Sequence, residues 1–189
     1  MRTEKEKMLS GELYNPFDSE LSKERYHAKQ ALHAYNKSGP ADAKEQRRLI
    51  KELFGTVGKQ YQIEQPFFCD YGYNIHIGAF FFSNYNCTIL DVARVTIGDN
   101  VMFGPNVGLY TVNHPLNAVR RNTGLEYAKP VTIGNNVWVG GHSVILPGVT
   151  IGENSVIGAG SVVTKDIPAN VVAVGNPCKV LRPITEEDV

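Results

Sequence analysis

The chain has no long apolar run, no charge imbalance and very little cysteine. None of its 189 residues belongs to a stretch approaching the roughly 18 uninterrupted apolar positions that a membrane-spanning helix needs. Lysine plus arginine number 19 and aspartate plus glutamate number 19, so the formal charge is zero. A nucleic-acid binder, or a protein held on an anionic membrane, relies on a basic surplus that is missing here. Cys69, Cys87 and Cys178 are odd in number, far apart and outside any CxxC pair. That argues against a disulfide framework and against a zinc site built from them; they read as reduced core thiols. The opening residues, MRTEKEKMLSGELY, are charged and lack the apolar centre of an export signal. The expected location is the cytoplasm.

What the chain does have is a period of six. From Ile97 it reads IGDNVM and FGPNVG, then after an interruption IGNNVW, VGGHSV, ILPGVT, IGENSV, IGAGSV and VTKDIP. Ile97, Phe103, Ile133, Val139, Ile145, Ile151, Ile157 and Val163 open the blocks, and glycine follows most of them. A small or β-branched residue stands four places after each opener, as at Val101, Val137, Ser143, Ser155 and Ser161. Neither a helix of period 3.6 nor a strand of period 2 writes that pattern. A short strand closed by a Gly- or Asn-rich corner does, and its repetition predicts a parallel β-helix, three blocks to a coil. Looser blocks begin at Ile77. The interval from Ile77 to Ile97 is 20 residues, two more than a coil of 18, which predicts a single bulge near Ala93 to Thr96. Residues 110–130 leave the pattern without changing its phase, the mark of a loop thrown out from a corner and rejoining the same face. Function favours loops mounted on rigid scaffolds, and this one holds His114.

Residues 1–60 read as helical. Asp18 or Ser19 caps a helix with Leu21, Ala28, Leu32 and Tyr35 on one face, stopped at Ser38-Gly39-Pro40. Asp42 and Glu45 stand at capping-box spacing before a second helix that carries Leu49, Ile50, Leu53 and Phe54 and ends at Gly55. The expected organisation is a helical segment over 1–60, a β-helix over 61–176 with its loop at 110–130, and a tail over 177–189 folded back along the outside.

Beyond the hexads, several segments carry a specific likeness: EKEKMLSGELY, CDYGYNIHIG, SNYNCTILD, the HP of TVNHP, KPVTIGNNVWVGGHSVILPGVTIG and GAGSVVTKDIPANVVAVGNPCKV. With them the chain resembles the maltose and galactoside O-acetyltransferases of the hexapeptide-repeat acyltransferase superfamily, along almost its whole length. The resemblance implies a mainly β fold, a left-handed parallel β-helix with a helical N-terminal segment. It also implies transfer of acetyl from acetyl-CoA, a co-substrate rather than a tightly bound cofactor, to a sugar hydroxyl such as one of maltose or glucose. By the same resemblance His114 is the general base, a role a neutral imidazole fills near pH 7. Read alone, His114 is equally an ordinary loop histidine. Gly141 supplies a backbone N–H to the oxyanion, with Asn84 near the acetyl group. Asn15, Asp70, Phe82, Asn84 and Asp91 face the acceptor, Asp91 being also a candidate orienter of the base. Phe82 and Asp70 lean the acceptor toward a maltose or glucose type. Trp138, Gly141, Ala159, Thr164 and Lys165 line the pantetheine path beside Asn84, and Lys179 and Arg182 meet the phosphates. Trp138 is otherwise an outward packing residue at a subunit contact. The implied assembly is a homotrimer with active sites between subunits.

Other readings fare worse. A β-helix carbonic anhydrase needs three histidines converging on zinc, and His114 has no histidine near it in its loop; no metal is expected. A non-catalytic scaffold is the other class. Within acyltransferases, a galactoside, a xenobiotic, a Nod-factor-type oligosaccharide or serine stand as alternative acceptors.

Overall fold

In a computed structural model, which describes residues 2–188, the six-residue blocks become two- to four-residue strands stacked in parallel on three faces. Face one holds Thr56–Val57, Ile75–Ile77, Val95–Ile97, Val131–Ile133 and Thr150–Ile151. Face two holds Gln62–Ile63, Phe82–Ser83, Met102–Phe103, Trp138–Val139, Val156–Ile157 and Val171–Val174. Face three holds Phe67–Cys69, Cys87–Leu90, Gly108–Tyr110, Val144–Ile145 and Val162–Val163. The fold is a mainly β parallel solenoid, and its first strand, Thr56–Val57, lies inside the segment read as helical. The tail does fold back: Lys179–Pro183 runs antiparallel to Val171–Val174 and extends face two.

The opener of every block points inward. All eight from Ile97 to Val163 are at most 2% exposed, and they stack in register, Ile77 on Ile97, Ile133 and Ile151. Full burial of such a side chain is worth about 1.5–3 kcal/mol. Ser143, Ser155 and Ser161 also point in, and each hydroxyl is satisfied by a backbone carbonyl: that of Gly158, Pro168 and Gly158 in turn. The glycine after the opener has a steric reason. A Cβ on Gly134 would lie 2.6 Å from Glu153 N, and one on Gly140 2.5 Å from Ala159 N, so only glycine lets the next coil approach.

The coils are not equally long, which corrects the expectation of a single bulge. Val57 pairs with Ile77 and Ile77 with Ile97, 20 residues apart each time, so the two extra residues recur. They sit at the third corner, between faces three and one, where eight residues rather than six separate Cys69 from Ile77 and Ile89 from Ile97. Ile97 then pairs with Ile133, 36 residues on. Residues 110–130 thus contain a coil's worth of chain but build no coil; they leave and return at this same corner.

The third corner is held by polar side chains. Asp91 is fully buried; its Oδ1 accepts the N–H groups of Asp70 (3.0 Å) and Tyr71 (2.9 Å), and its Oδ2 that of Asn74 (3.3 Å). One coil later, Thr111 does the same work, its hydroxyl donating to Leu90 O (2.7 Å) and accepting from Ala93 N (2.9 Å). At the first corner, between faces one and two, stands a ladder of Asn100, Asn136, Asn154 and Asn170. All four take φ between 56° and 60°, and each amide nitrogen donates to the next oxygen at 3.2, 2.8 and 2.9 Å.

The N-terminal helices close the first coil. α1 is Glu4–Ser10, α2 is Ser19–Lys37 and α3 is Ala43–Leu53. Asp18 caps α2, accepting from Glu20 N (2.9 Å) and Leu21 N (3.4 Å), and the face expected to be buried is buried. The capping box expected at α3 does not form: Asp42 reaches back to Gly39 N (2.8 Å) instead, closing the turn before the helix. Leu32, Tyr35, Leu49, Ile50 and Phe54 join the solenoid core over Ile63 and Phe67. A second, smaller core ties α1 and α2 to the third corner through Met8, Tyr14, Leu21, Tyr71, Val92, Ala93 and Ala128.

Two measurements test this account. Asn136→Ala keeps a Cβ at positive φ without the polar side chain that makes asparagine tolerant of it, and cuts the ladder, so it should cost about 2 kcal/mol, with Asn136→Gly, which relieves the φ strain alone, recovering part of that in urea unfolding. Equal losses would mean that φ does not matter there. Burial pushes the Asp91 carboxyl up to about 7 from its ordinary 3.8, against the pull of the Tyr71 N–H. The folded chain then holds a proton that the unfolded chain has lost, and the stability this adds is full below about 4 and lost as pH rises through about 7. Asp91→Asn should flatten the decline of unfolding free energy between pH 4 and 7; identical slopes would refute the assignment.

Candidate active site

The widened third corner, the 110–130 excursion and the N-terminal segment enclose a cavity of about 370 Å³. Its walls include Tyr14, Pro16, Phe17, Arg25, Asp70, Tyr71, Leu90, Val92, Val112, His114 and Glu126. Each element is there for a local reason. The excursion leaves as the strand Val112–Asn113, turns through the short helix Ala118–Arg121, capped by Asn117, and returns as Tyr127–Ala128 paired antiparallel with its outgoing arm. Tyr14 and Glu126 form a further antiparallel bridge, Tyr14 N to Glu126 O at 3.0 Å and Glu126 N to Tyr14 O at 3.1 Å. Arg25 of α2 donates to the Tyr71 hydroxyl at 2.6 Å and to the Pro16 carbonyl, its guanidinium lying over the Tyr71 ring. The N-terminal segment is thereby strapped across the corner.

His114 is half-exposed, with Nε2 3.8 Å from Glu126 Oε1. The Tyr14 hydroxyl donates to Glu126 Oε2 at 2.5 Å. Burial first, and the Glu126 contact second, push the Tyr14 phenol far above its ordinary value, so it keeps its proton and remains a donor. Burial also raises the Asp70 carboxyl, helped by the charge of Glu126 and opposed by Arg25 and Lys29. Among the described residues none donates a hydrogen bond to the Asp70 carboxylate. The cavity thus presents an imidazole, an unengaged carboxylate, a guanidinium, two phenols and an apolar wall of Phe17, Leu90, Val92 and Val112.

Of the residues singled out from sequence, His114 and Asp70 line this cavity. Asp91 lies beneath it with its oxygens spent on the corner backbone, and its neighbour Val92 faces in. Asn15 is exposed, its side chain accepting from Phe17 N (3.0 Å), while Pro16 and Phe17 reach the cavity. The others lie elsewhere on the prism. Phe82 and Trp138 are on the outer side of face two, both in register with Met102. Asn84, Gly141 and Ala159 occupy the second corner, between faces two and three. There Gly141 packs against Gly104 and Pro105, and its N–H donates to no other described residue. Thr164 and Lys165 are exposed at the third corner of a later coil. Lys179 and Arg182 are on the terminal strand, where the Arg182 guanidinium is already doubly paired with Asp188. Tyr14, Arg25, Tyr71 and Glu126 escaped the sequence reading, because nothing in a local pattern pairs residue 14 with residue 126. The three cysteines are buried and unpaired, and the described residues contain no cluster of metal-binding side chains.

Residues 7–58 match the maltose acetyltransferase hexapeptide capping motif, and residues 130–165 match the six-repeat bacterial transferase hexapeptide model. A maltose O-acetyltransferase from Clostridium difficile 630 is 55% identical and superposes with a TM-score of 0.96, covering 98% of this chain and 99% of that one. A galactoside acetyltransferase solved in complex with coenzyme A is 48% identical with a TM-score of 0.96, covering 100% and 94%. A hexapeptide-repeat acetyltransferase of Vibrio cholerae O1 biovar eltor, complexed with acetyl coenzyme A, is 39% identical with a TM-score of 0.91, covering 98% and 100%. With identity of this order over nearly its whole length, the chain belongs to the maltose and galactoside O-acetyltransferase family of hexapeptide-repeat enzymes, acetyltransferases that take acetyl-CoA as co-substrate.

Proposed function

We infer that the protein acetylates a hydroxyl of a neutral sugar, of the maltose or glucose kind, by direct attack within a ternary complex. The observation that carries this reading is the cavity beside His114. Asp70 offers free acceptor atoms, Arg25 and the Tyr71 hydroxyl offer donors, and Phe17, Leu90, Val92 and Val112 offer an apolar wall. A polyol ring needs all three, since its hydroxyls both give and take hydrogen bonds while its C–H face packs on carbon. The solved relatives named for maltose and for galactoside support the same acceptor class.

His114 removes the hydroxyl proton as the oxygen attacks the thioester carbonyl. The carbonyl π pair moves to oxygen, and the Gly141 N–H, unspent on the coil, stabilises that charge. Collapse restores the carbonyl, breaks the C–S bond and expels the CoA thiolate, which takes the proton back from the imidazolium. The pantetheine arm runs past Asn84, Trp138, Gly141 and Ala159 toward Thr164 and Lys165, and Lys179 meets phosphate. Arg182 does so only by leaving Asp188.

His114 and Gly141 stand at different corners of one prism, so one chain does not bring base and oxyanion donor together. Copies packed side by side would join the third corner of one to the second corner of its neighbour. Met102 and Trp138, 50% and 51% exposed on face two, are the surface such a neighbour would cover. The assembly that repeats this contact and closes is a homotrimer.

Acetyl transfer should be followed by thiol release with maltose, glucose, galactosides and chloramphenicol as acceptors. A glucosyl sugar should turn over, and His114→Ala should lower kcat by roughly 10²–10⁴. Turnover untouched by the substitution would remove His114 from the mechanism, and turnover on chloramphenicol alone would change the acceptor class. Mixing His114→Ala chains with Asn84→Ala chains should restore part of the lost activity if the two residues serve one site from different copies. No recovery would oppose that division.

A further inference from the structure

Glu126 has no part in the transfer steps above, yet it is firmly held in the cavity. Its backbone is bonded to Tyr14 in both directions, at 3.0 and 3.1 Å. Its Oε2 accepts the Tyr14 hydroxyl at 2.5 Å, and Tyr14 is only 1% exposed. A carboxylate fixed at its main chain and at one oxygen can present the other oxygen in one direction only. That oxygen, Oε1, is 3.8 Å from His114 Nε2. Among the described residues no other carboxylate comes within 4.0 Å of a His114 nitrogen, although Asp70 lines the same cavity.

We propose that Glu126, braced by Tyr14, is the positioning residue of the base: it holds the His114 ring with Nε2 protonated and turned toward Oε1, leaving the Nδ1 lone pair for the acceptor hydroxyl. The inference rests on His114 acting as the base. Which nitrogen of a neutral imidazole carries the proton is set by the hydrogen bond the other one lacks or makes. A fixed carboxylate acceptor selects one tautomer and opposes the ring rotation that would undo it. The 3.8 Å separation is longer than a hydrogen bond. Catalytic contacts that are long in an empty site often shorten when the substrate fills it, and His114 is half-exposed.

The arrangement also explains why the N-terminal segment reaches across the corner. Tyr14 contributes both to the small core and to Glu126, so docking of the segment and alignment of the base are one event.

Three variants test this: Glu126→Gln, Glu126→Asp and Tyr14→Phe, with ring-¹⁵N spectra of histidine-labelled protein and with steady-state kinetics on acetyl-CoA and maltose. Glutamine keeps the shape and can still accept from Tyr14, but it can turn an N–H toward Nε2. The Nε2-protonated form should dominate in the wild type and lose that dominance in Glu126→Gln. In that variant kcat should fall roughly 10–100-fold, the range for lost support around a ligating or reacting imidazole, with KM for acetyl-CoA little changed. Glu126→Asp should restore the tautomer, and Tyr14→Phe should weaken it less than Glu126→Gln does. An unchanged tautomer in Glu126→Gln overturns the proposal, whether or not kcat falls, because a purely structural glutamate would lower kcat without touching the ring. Should Glu126→Gln not fold, Tyr14→Phe decides by the same spectra. The spectra need no acceptor. A wild type inactive on every sugar with the tautomer effect intact fails the sugar reading alone, and an active wild type with unresponsive spectra fails the inference alone.

Discussion

Backbone hydrogen bonding between coils governs this molecule. The strands of a coil have no partners within it; their N–H and C=O groups are satisfied by the coils above and below, about 4.8 Å away. Every residue therefore sits directly over its counterpart, and what suits one level must suit the next. Glycine follows the opener because the neighbouring backbone passes too close for a Cβ, as at Gly134 and Gly140. Asparagine recurs at the first corner because its side chain tolerates the left-handed turn and repeats the inter-coil bond at the level of the amide. The same constraint leaves the first and last coils with unmatched edges. The helices and Phe54 close one end, and the antiparallel strand Lys179–Pro183 extends one face at the other.

Function enters where the constraint is relaxed. The third corner carries two extra residues in the early coils and a whole excursion in the next, so its side chains are not obliged to repeat. Freed from stacking, the corner needs other means of support, and it uses buried polar groups that replace the missing ladder: Asp91 for the backbone of residues 70–74, and Thr111 for that of residues 90–93. A buried carboxylate is a costly way to hold a turn, as its raised proton affinity records. The gain is a corner open enough to hold a cavity, with Asp70 and His114 in its wall.

Most of the solenoid was legible because inward positions write a period of six directly into the sequence. The openers and the buried serines fell where that period put them, and the apolar face of α2 fell where a helical period put it. Counting failed in the early coils, where the two extra residues expected once recur. An interval of 36 residues between Ile97 and Ile133 equals two coils by arithmetic alone, and only the loss of the hexad pattern over 110–130 marks it as one coil and a loop. At the widened corner the alternation that tells inside from outside is broken. Val92 therefore lines the cavity where Asp91 was expected, and Pro16 and Phe17 reach it where Asn15 was expected. Asp42 was misread for a related reason: an Asp before a helix serves either the helix or the turn ahead of it, and here the turn has it. The Tyr14–Glu126 pairing had no local signal at all, being a contact between segments 112 residues apart.

The distribution of the remaining candidates follows from the prism itself. A solenoid offers three corners, each a straight column, and a single chain cannot bend one column to meet another. The proposed base His114 is carried by the excursion, and the proposed sugar-facing groups gather around it at the third corner from the early coils and the N-terminal segment. Gly141, with its uncommitted N–H, and Ala159 are confined to the second by the close approach of their coils. A transfer reaction needs donor carbonyl and acceptor hydroxyl within bonding distance. If His114 and Gly141 serve one reaction, as proposed, that juxtaposition on this scaffold requires laying one prism against another. Under that proposal, association of copies would be part of building the site rather than a later addition to it. A half-exposed His114, with Glu126 of its own chain on one side and solvent on the other, is the form a base would take if the rest of its site belonged to a neighbour.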